Sequence, residues 1–198
     1  APGVNCLHYL NAWEEGPDEV VLITSVLSPV ERILRIPQNC TSCLTEIRFN
    51  RRTGSVKQRV ICSGANLEFG VINRAYTGRK TRYAYLASGG YPYFEGVVKV
   101  DLLTHEEQGA IVGKRDFGEG KYGGEPFFVA ARGAMSEDHG YVLCLVGDEK
   151  GAQVSQLLVM DALSPTLEVI TAIELPVRVP VGFHGCFVDE EQLARQKP

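Results

Sequence analysis

The stretch VVKVDLLTHEEQGAIV, residues 97–112, contains the pattern that decides the fold. An alternating apolar run ends at Asp101, a polar turn follows, and a second apolar run returns, which is the plan of a β-hairpin. Two further stretches repeat it, EIRFNRRTGSVKQRVI at residues 46–61 and LLVMDALSPTLEVITAIEL at residues 157–175, with Asn50 and Asp161 opening their turns. The intervals of 51 and 60 residues between these three turns suit four-stranded propeller blades with loop insertions. A β-sandwich built from similar hairpins remains the alternative.

Short β-rich runs also dominate the rest of the chain, and helical periodicity is confined to short segments near residues 28–34 and 189–196. The candidate strands are residues 19–27, 45–50, 55–61, 82–87, 97–102, 126–131, 141–146, 156–162 and 168–175. The sequence therefore predicts an all-β protein.

The composition excludes some classes of function. The 198 residues are 44% apolar and 22% charged with a net charge of −4, so the chain has no basic surplus for binding nucleic acid. It contains no apolar run of the roughly 18 to 20 residues that span a bilayer. Because the sequence begins without Met in an apolar and aromatic stretch, we expect it to be a fragment of a longer protein.

Six cysteines are spread unevenly, and reduced thiols are expected. Cys40 and Cys43 form a Cys-x-x-Cys, but no second ligand pair completes a zinc site, so ordinary loop thiols are the favoured interpretation.

The four histidines fall into two groups. His105 and His139 lie in polar loop contexts and are expected to be solvated turn residues. His8 and His184 lie where turn-like segments meet apolar ones, and the blades of a propeller could bring them to one metal. Taken alone, His8 could equally be a hydrogen-bonded core histidine.

Four segments carry a family resemblance. These are LHYLNAWEE at residues 7–15, NLEFGVINRAY at residues 66–76, YGGEPFFVA at residues 122–130 and LPVRVPVGFHGCFV at residues 175–188. In order and approximate spacing they resemble the C-terminal portion of the carotenoid cleavage dioxygenases, the family that includes the retinal-pigment-epithelium retinoid isomerase. The plant type 4 carotenoid cleavage dioxygenases are the most similar subfamily.

This resemblance implies a seven-bladed β-propeller in which four histidines hold Fe(II). Residues 1–198 would be the C-terminal part of that single propeller domain, with His8 as the third iron ligand and His184 as the fourth. The first two ligands would lie upstream, so the fragment alone is expected to be inactive. Glu68 would hold the second ring nitrogen of His8, and Glu125 that of His184. Because an unpaired charge in an apolar setting is costly, both carboxylates need such partners.

The resemblance also implies the substrate and the location. Phe69 and Phe183 are the aromatic residues that we expect to line a substrate tunnel, and no catalytic side chain is expected beyond the metal ligands. The implied reaction is cleavage of a carotenoid double bond by O₂, at the 9,10 or 9′,10′ position, to give apocarotenoids. A 9-cis-epoxycarotenoid dioxygenase of abscisic acid synthesis and a non-catalytic propeller scaffold are the alternatives. The expected location is the plastid, with the full-length protein peripheral to a membrane or plastoglobule surface.

Overall fold

The computed structural model of the protein describes residues 4–33, 35, 39–104, 109–150, 154–180 and 184–196. Within these residues nearly all regular structure is β, with thirteen strands, short 3₁₀ turns and one five-residue α-helix. The all-β class predicted from the sequence is therefore confirmed.

The strands form three successive antiparallel units of four strands, each with the composition of a propeller blade. The first blade contains β1 Tyr9–Glu15, β2 Glu19–Ser28, β3 Thr41–Asn50 and β4 Val56–Cys62. The second blade contains β5 Leu67–Val71, β6 Tyr83–Gly90, β7 Tyr93–Asp101 and β8 Ile111–Asp116. A three-residue strand, β9 Lys121–Gly123, pairs with both β7 and β11. The third blade contains β10 Phe127–Ala130, β11 Gly140–Asp148, β12 Ser155–Asp161 and β13 Val169–Glu174.

The three repeated turns identified in the sequence occupy equivalent places, between the third and fourth strands of each blade. At each turn the side-chain oxygen of the opening residue accepts a backbone N–H. Asn50 Oδ1 accepts from Thr53 at 2.8 Å, Asp101 Oδ1 from Leu103 at 3.0 Å, and Asp161 Oδ1 from Leu163 at 2.9 Å. Asn and Asp open these turns because their short side chains can replace a backbone acceptor there.

Apolar side chains fill the space between neighbouring blades. One cluster includes Trp13 and Ile23 of the first blade with Leu86 of the second. Another includes Tyr85 of the second blade with Met160 of the third. Burial of each such side chain contributes about 1.5–3 kcal/mol, so these apolar interfaces hold the three blades together.

A polar clasp also joins the second and third blades. Lys99 on β7 is 5% exposed, and its Nζ donates to Asp138 Oδ2 at 2.6 Å and to the carbonyl of Ala162 at 2.8 Å. The neighbouring Glu137 carboxylate accepts from Thr81 Oγ1 at 2.6 Å. The loop before β11 is therefore anchored to the preceding blade by buried charge.

The C-terminal helix α1, Glu190–Ala194, begins with a capping box. The Asp189 carboxylate accepts from the Gln192 N–H at 2.7 Å, and the Gln192 side chain accepts from the Asp189 N–H at 3.0 Å. This reciprocal pair stabilises a helix too short to form by propensity alone. In the described part of the chain, no helix combines the length and apolar character needed to cross a membrane.

Candidate functional site

Two histidines from opposite ends of the chain lie side by side. His8 immediately precedes β1, and His184 follows the third blade. Their ring centroids are 5.1 Å apart, with the ring planes at 78°. Among the described residues, no group of three or more His, Cys, Asp or Glu side chains is placed to hold a metal ion. Within the described residues, the candidate metal ligands are therefore two histidines, His8 and His184.

His8 is held from two directions. Its carbonyl accepts a hydrogen bond from the hydroxyl of the buried Thr24 at 2.7 Å, which anchors the backbone to β2. Its ring Nδ1 lies 3.0 Å from Oε2 of Glu68 on β5 of the next blade. Glu68 is 3% exposed, and its other oxygen, Oε1, is buried with no hydrogen-bond partner among the described residues. An ionised carboxylate only accepts, so Nδ1 of His8 carries the proton when Glu68 is charged.

A β-bulge in β5 shapes this side of the site. Glu68 pairs with Ala87 and Val71 pairs with Tyr85, so Phe69 and Gly70 together oppose a single residue of β6. Phe69 takes a φ of +53°, a conformation that costs a bulky residue about 1–3 kcal/mol. The bulge interrupts the alternation of the strand, so the adjacent residues Glu68 and Phe69 both contact His8.

His184 is held by Glu125, which lies in the loop between β9 and β10. Oε2 of Glu125 is 3.4 Å from Nδ1 of His184 and accepts from the Gly185 N–H at 3.0 Å. The His184 side chain is 53% exposed and that of Glu125 is 19% exposed. Both histidine–glutamate pairs expected from the sequence are therefore in contact, the second one more loosely.

The donor set fits half of a histidine-rich metal site. Each carboxylate faces Nδ1, so Nε2 is the ring nitrogen that a metal would take on both residues. A carboxylate on the other ring nitrogen is the usual arrangement around metal-binding histidines, because it fixes the tautomer and the direction of the ring. Imidazole nitrogens suit iron among other transition metals.

An apolar cavity of about 260 Å³, open to solvent on one side, lies next to Glu125 and Gly185. Its walls are formed by side chains of β11 and β12, by the loop before β10 and by the segment after His184. They include Glu125, Phe127, Leu143, Leu145, Leu157, Cys186 and Phe187. The leucines were not identified from the sequence, although their alternation along β11 could have indicated a second apolar face. Cys144 also lines the cavity, and burial raises the pKa of its thiol to about 12.

The sequence predicts that Phe69 and Phe183 line a substrate tunnel, and only Phe69 lies among the described residues. Phe183 lies outside the described residues. Phe69 is 3% exposed and contacts both histidine rings, at centroid distances of 4.9 Å to His8 and 5.7 Å to His184.

Comparison with known proteins identifies the family. The family described as retinal pigment epithelial membrane protein (RPE65) matches residues 1–189. The zeaxanthin 7,8(7′,8′)-cleavage dioxygenase of Crocus sativus is 45% identical over 99% of this chain and 54% of its own length. The probable carotenoid cleavage dioxygenase 4 of Arabidopsis thaliana is 43% identical over 97% of this chain and 33% of its own length. The chain thus spans about a third to a half of the length of these relatives.

Solved structures agree on the fold. The cobalt-substituted Synechocystis apocarotenoid oxygenase ACO superposes on 95% of this chain with a TM-score of 0.82 at 24% identity, and 40% of that chain is covered. The Glu150Asp variant of the same oxygenase superposes on 91% of this chain with a TM-score of 0.80 at 25% identity, and 39% of that chain is covered. The propeller expected from the sequence is confirmed over the sandwich. The chain belongs to the RPE65 family of carotenoid oxygenases.

Proposed function

We propose that the full-length protein is a non-haem Fe(II) dioxygenase that cleaves a carotenoid double bond with O₂, at the 9,10 or 9′,10′ position, to give apocarotenoids. The observation that carries the proposal is the meeting of His8 and His184 at 5.1 Å, each with a glutamate on Nδ1. This chain spans only part of the length of its relatives. We therefore expect it to contain two of the four histidine ligands rather than the full set.

In this proposal His8 and His184 are two of four iron ligands, and the other two come from the part of the protein outside this chain. Glu68 and Glu125 keep the proton on Nδ1 and turn Nε2 toward the metal. When bound, the iron supplies the activation of O₂. No side chain beyond the ligands is assigned a catalytic role, and two ligands alone do not make an active site, so the 198-residue chain by itself is expected to be inactive.

The apolar cavity beside Glu125 is not assigned to the substrate, because its leucines lie on the face of β11 and β12 that a further blade would cover. The proposal that Phe69 and Phe183 line the substrate tunnel rests on the sequence alone.

The proposed domain is one propeller of which residues 1–198 form the C-terminal part. Partly exposed apolar side chains on the third blade support this arrangement, because Leu145, Leu157 and Ile173 lie side by side on one face of β11, β12 and β13. Apolar sheet faces of this kind are normally covered, and further blades of the same domain would cover them.

The proposed location is the plastid, because the relatives named above are described as chromoplastic or chloroplastic. The proposed partners are a carotenoid and O₂, and the full-length protein would lie at a membrane or plastoglobule surface where carotenoids accumulate. No nucleic-acid partner is proposed.

The test uses the full-length protein, its iron content and its products from β-carotene in the presence of O₂. We expect bound iron and 9,10-cleavage products, and we expect His184→Ala to lose both. His139→Ala is the matched control, because His139 lies in a loop where its Nδ1 accepts from the Met135 N–H at 3.2 Å.

Iron-free wild-type protein, or products no different from those of a heat-killed control, would favour the scaffold. Parallel incubations with 9-cis-epoxycarotenoid and zeaxanthin test the bond, since 43% identity to a rice protein named 9-cis-epoxycarotenoid dioxygenase NCED1 does not separate the subtypes. Cleavage of only the epoxycarotenoid would overturn the assignment to the 9,10 bond of β-carotene.

A further inference from the structure

Phe69 occupies an unusual backbone position for a phenylalanine. Its φ is +53°, a region in which bulky side chains are rare. The bulge that requires this conformation also places Phe69 beside Glu68 on the side of β5 that faces the histidines. Two consecutive residues of one strand normally point to opposite faces. Here both of them reach His8.

The phenyl ring lies between the two imidazoles and the core. Its centroid is 4.9 Å from the His8 ring, with the planes tilted by 42°, and 5.7 Å from the His184 ring, with the planes at 90°. Phe94 stands behind it at 5.3 Å and 72° and is 1% exposed. The Phe69 ring is therefore supported from the rear and cannot move away from the histidines without repacking the core.

The glutamate contacts alone do not fix both imidazoles. A hydrogen bond at Nδ1 sets the direction of one edge of the ring, but the ring can still tilt about that bond. A rigid aromatic wall against the ring removes this freedom. His184 needs such a wall most, because its bond to Glu125 is 3.4 Å long and its side chain is 53% exposed.

We infer that Phe69 is a positioning residue that sets the tilt of the His8 and His184 rings toward a shared metal ion. This inference rests on the proposed function, because it assumes that the two imidazoles bind one metal. It gives the β5 bulge a role: the left-handed backbone lets adjacent residues of one strand hold the hydrogen-bonded edge and the face of the same ligand. Strained backbone of this kind persists where the surrounding structure determines it, and it is common at functional sites.

The test is made on the full-length protein loaded with Co²⁺, whose visible absorption reports ligand geometry. Phe69→Leu keeps an apolar side chain but removes the flat ring. Phe69→Gly removes the ring and suits the positive φ, so the backbone can keep the bulge. For both variants we expect a shifted Co²⁺ spectrum, metal affinity reduced on the order of 10-fold, and a lower kcat with little change in KM.

Phe128→Leu is the matched control. Phe128 is 4% exposed and stacks on Tyr85 at 5.1 Å, so its loss should lower the melting temperature and leave the Co²⁺ spectrum unchanged. Wild-type spectra and affinities in both Phe69 variants would overturn the inference and leave the proposed function standing. Absence of metal binding by the wild-type protein would overturn both.

Discussion

Replacing Glu68 by Gln should weaken metal binding without weakening the fold. Glu68 is 3% exposed, and its Oε2 is 3.0 Å from Nδ1 of His8. A hydrogen bond to a charged group contributes about 1.5–3 kcal/mol, which is roughly 10- to 150-fold in affinity. For Glu125→Gln the longer, more exposed contact of 3.4 Å supports only about 0.5–1.5 kcal/mol, or roughly 2- to 10-fold.

The stability of the metal-free protein should move in the other direction. The Glu68 carboxylate is buried, and its Oε1 has no partner among the described residues, so its charge is costly in the absence of a metal. A neutral amide of the same shape lowers that cost. We therefore expect the melting temperature of metal-free Glu68→Gln to equal or exceed that of the wild type.

Calorimetric titration of the metal-free full-length protein with Co²⁺, together with thermal unfolding, measures both quantities. Glu119→Gln is the control, because the Glu119 side chain is 89% exposed and pairs with Lys150 on the surface. The reasoning is refuted if Glu68→Gln binds Co²⁺ like the wild type while its melting temperature falls by several degrees. That result would make Glu68 a structural residue only.

Two further predictions concern groups outside the histidine pair. In an alkylation experiment at pH 8 with peptide mapping, the exposed Cys186 should be modified. Cys144 should stay unmodified until the protein unfolds, because burial raises the pKa of its thiol to about 12. Equal labelling of the two cysteines in the folded protein would contradict this prediction. Lys99→Met should lower the free energy of unfolding in urea by about 3–5 kcal/mol, because it leaves the Asp138 carboxylate buried without its partner, and a loss under 1 kcal/mol would contradict this. Burial opposes ionisation of Asp138, but the hydrogen bond from Lys99 outweighs it and holds its pKa below the ordinary 3.8, so this pair's contribution is complete above that pH and is lost as the pH falls through the lower native value.

The hairpins were predictable because their signals are local. Asn50, Asp101 and Asp161 each combine a turn-forming side chain with flanking alternation, and these two features lie within a few residues of each other. The strands absent from the sequence-based list are β1, β5, β8 and β9, although the hairpin pattern at residues 97–112 includes the start of β8. β1 includes Asn, Ala and two Glu residues, which have low strand propensity, and β9 has only three residues. Their pairing depends on neighbouring strands rather than on their own composition.

The candidate site was predictable in its residues and not in its geometry. Family resemblance selected the two histidines and their glutamates. The bulge at Phe69 has no local signal, since a phenylalanine is a poor choice for a positive φ and a sequence rule would place glycine there. Packing against Phe94 and the histidine rings outweighs that preference, and such packing exists only once the blades have assembled.

The site residues share one topological position, which explains why distant residues meet. His8 immediately precedes the first strand of the first blade, and Glu125 lies just before the first strand of the third blade, while Glu68 lies on the first strand of the second. His184 follows the third blade, where the next blade of a propeller would begin. The two histidines are nevertheless held unequally. The Phe69 ring contacts both imidazoles, but Thr24 and Glu68 also restrain His8, whose side chain is 20% exposed. The His184 side chain is 53% exposed, and its contact with Glu125 is longer, at 3.4 Å. Because a preorganised ligand loses more when its support is removed, this asymmetry is the physical reason for expecting Glu68→Gln to weaken metal binding more than Glu125→Gln.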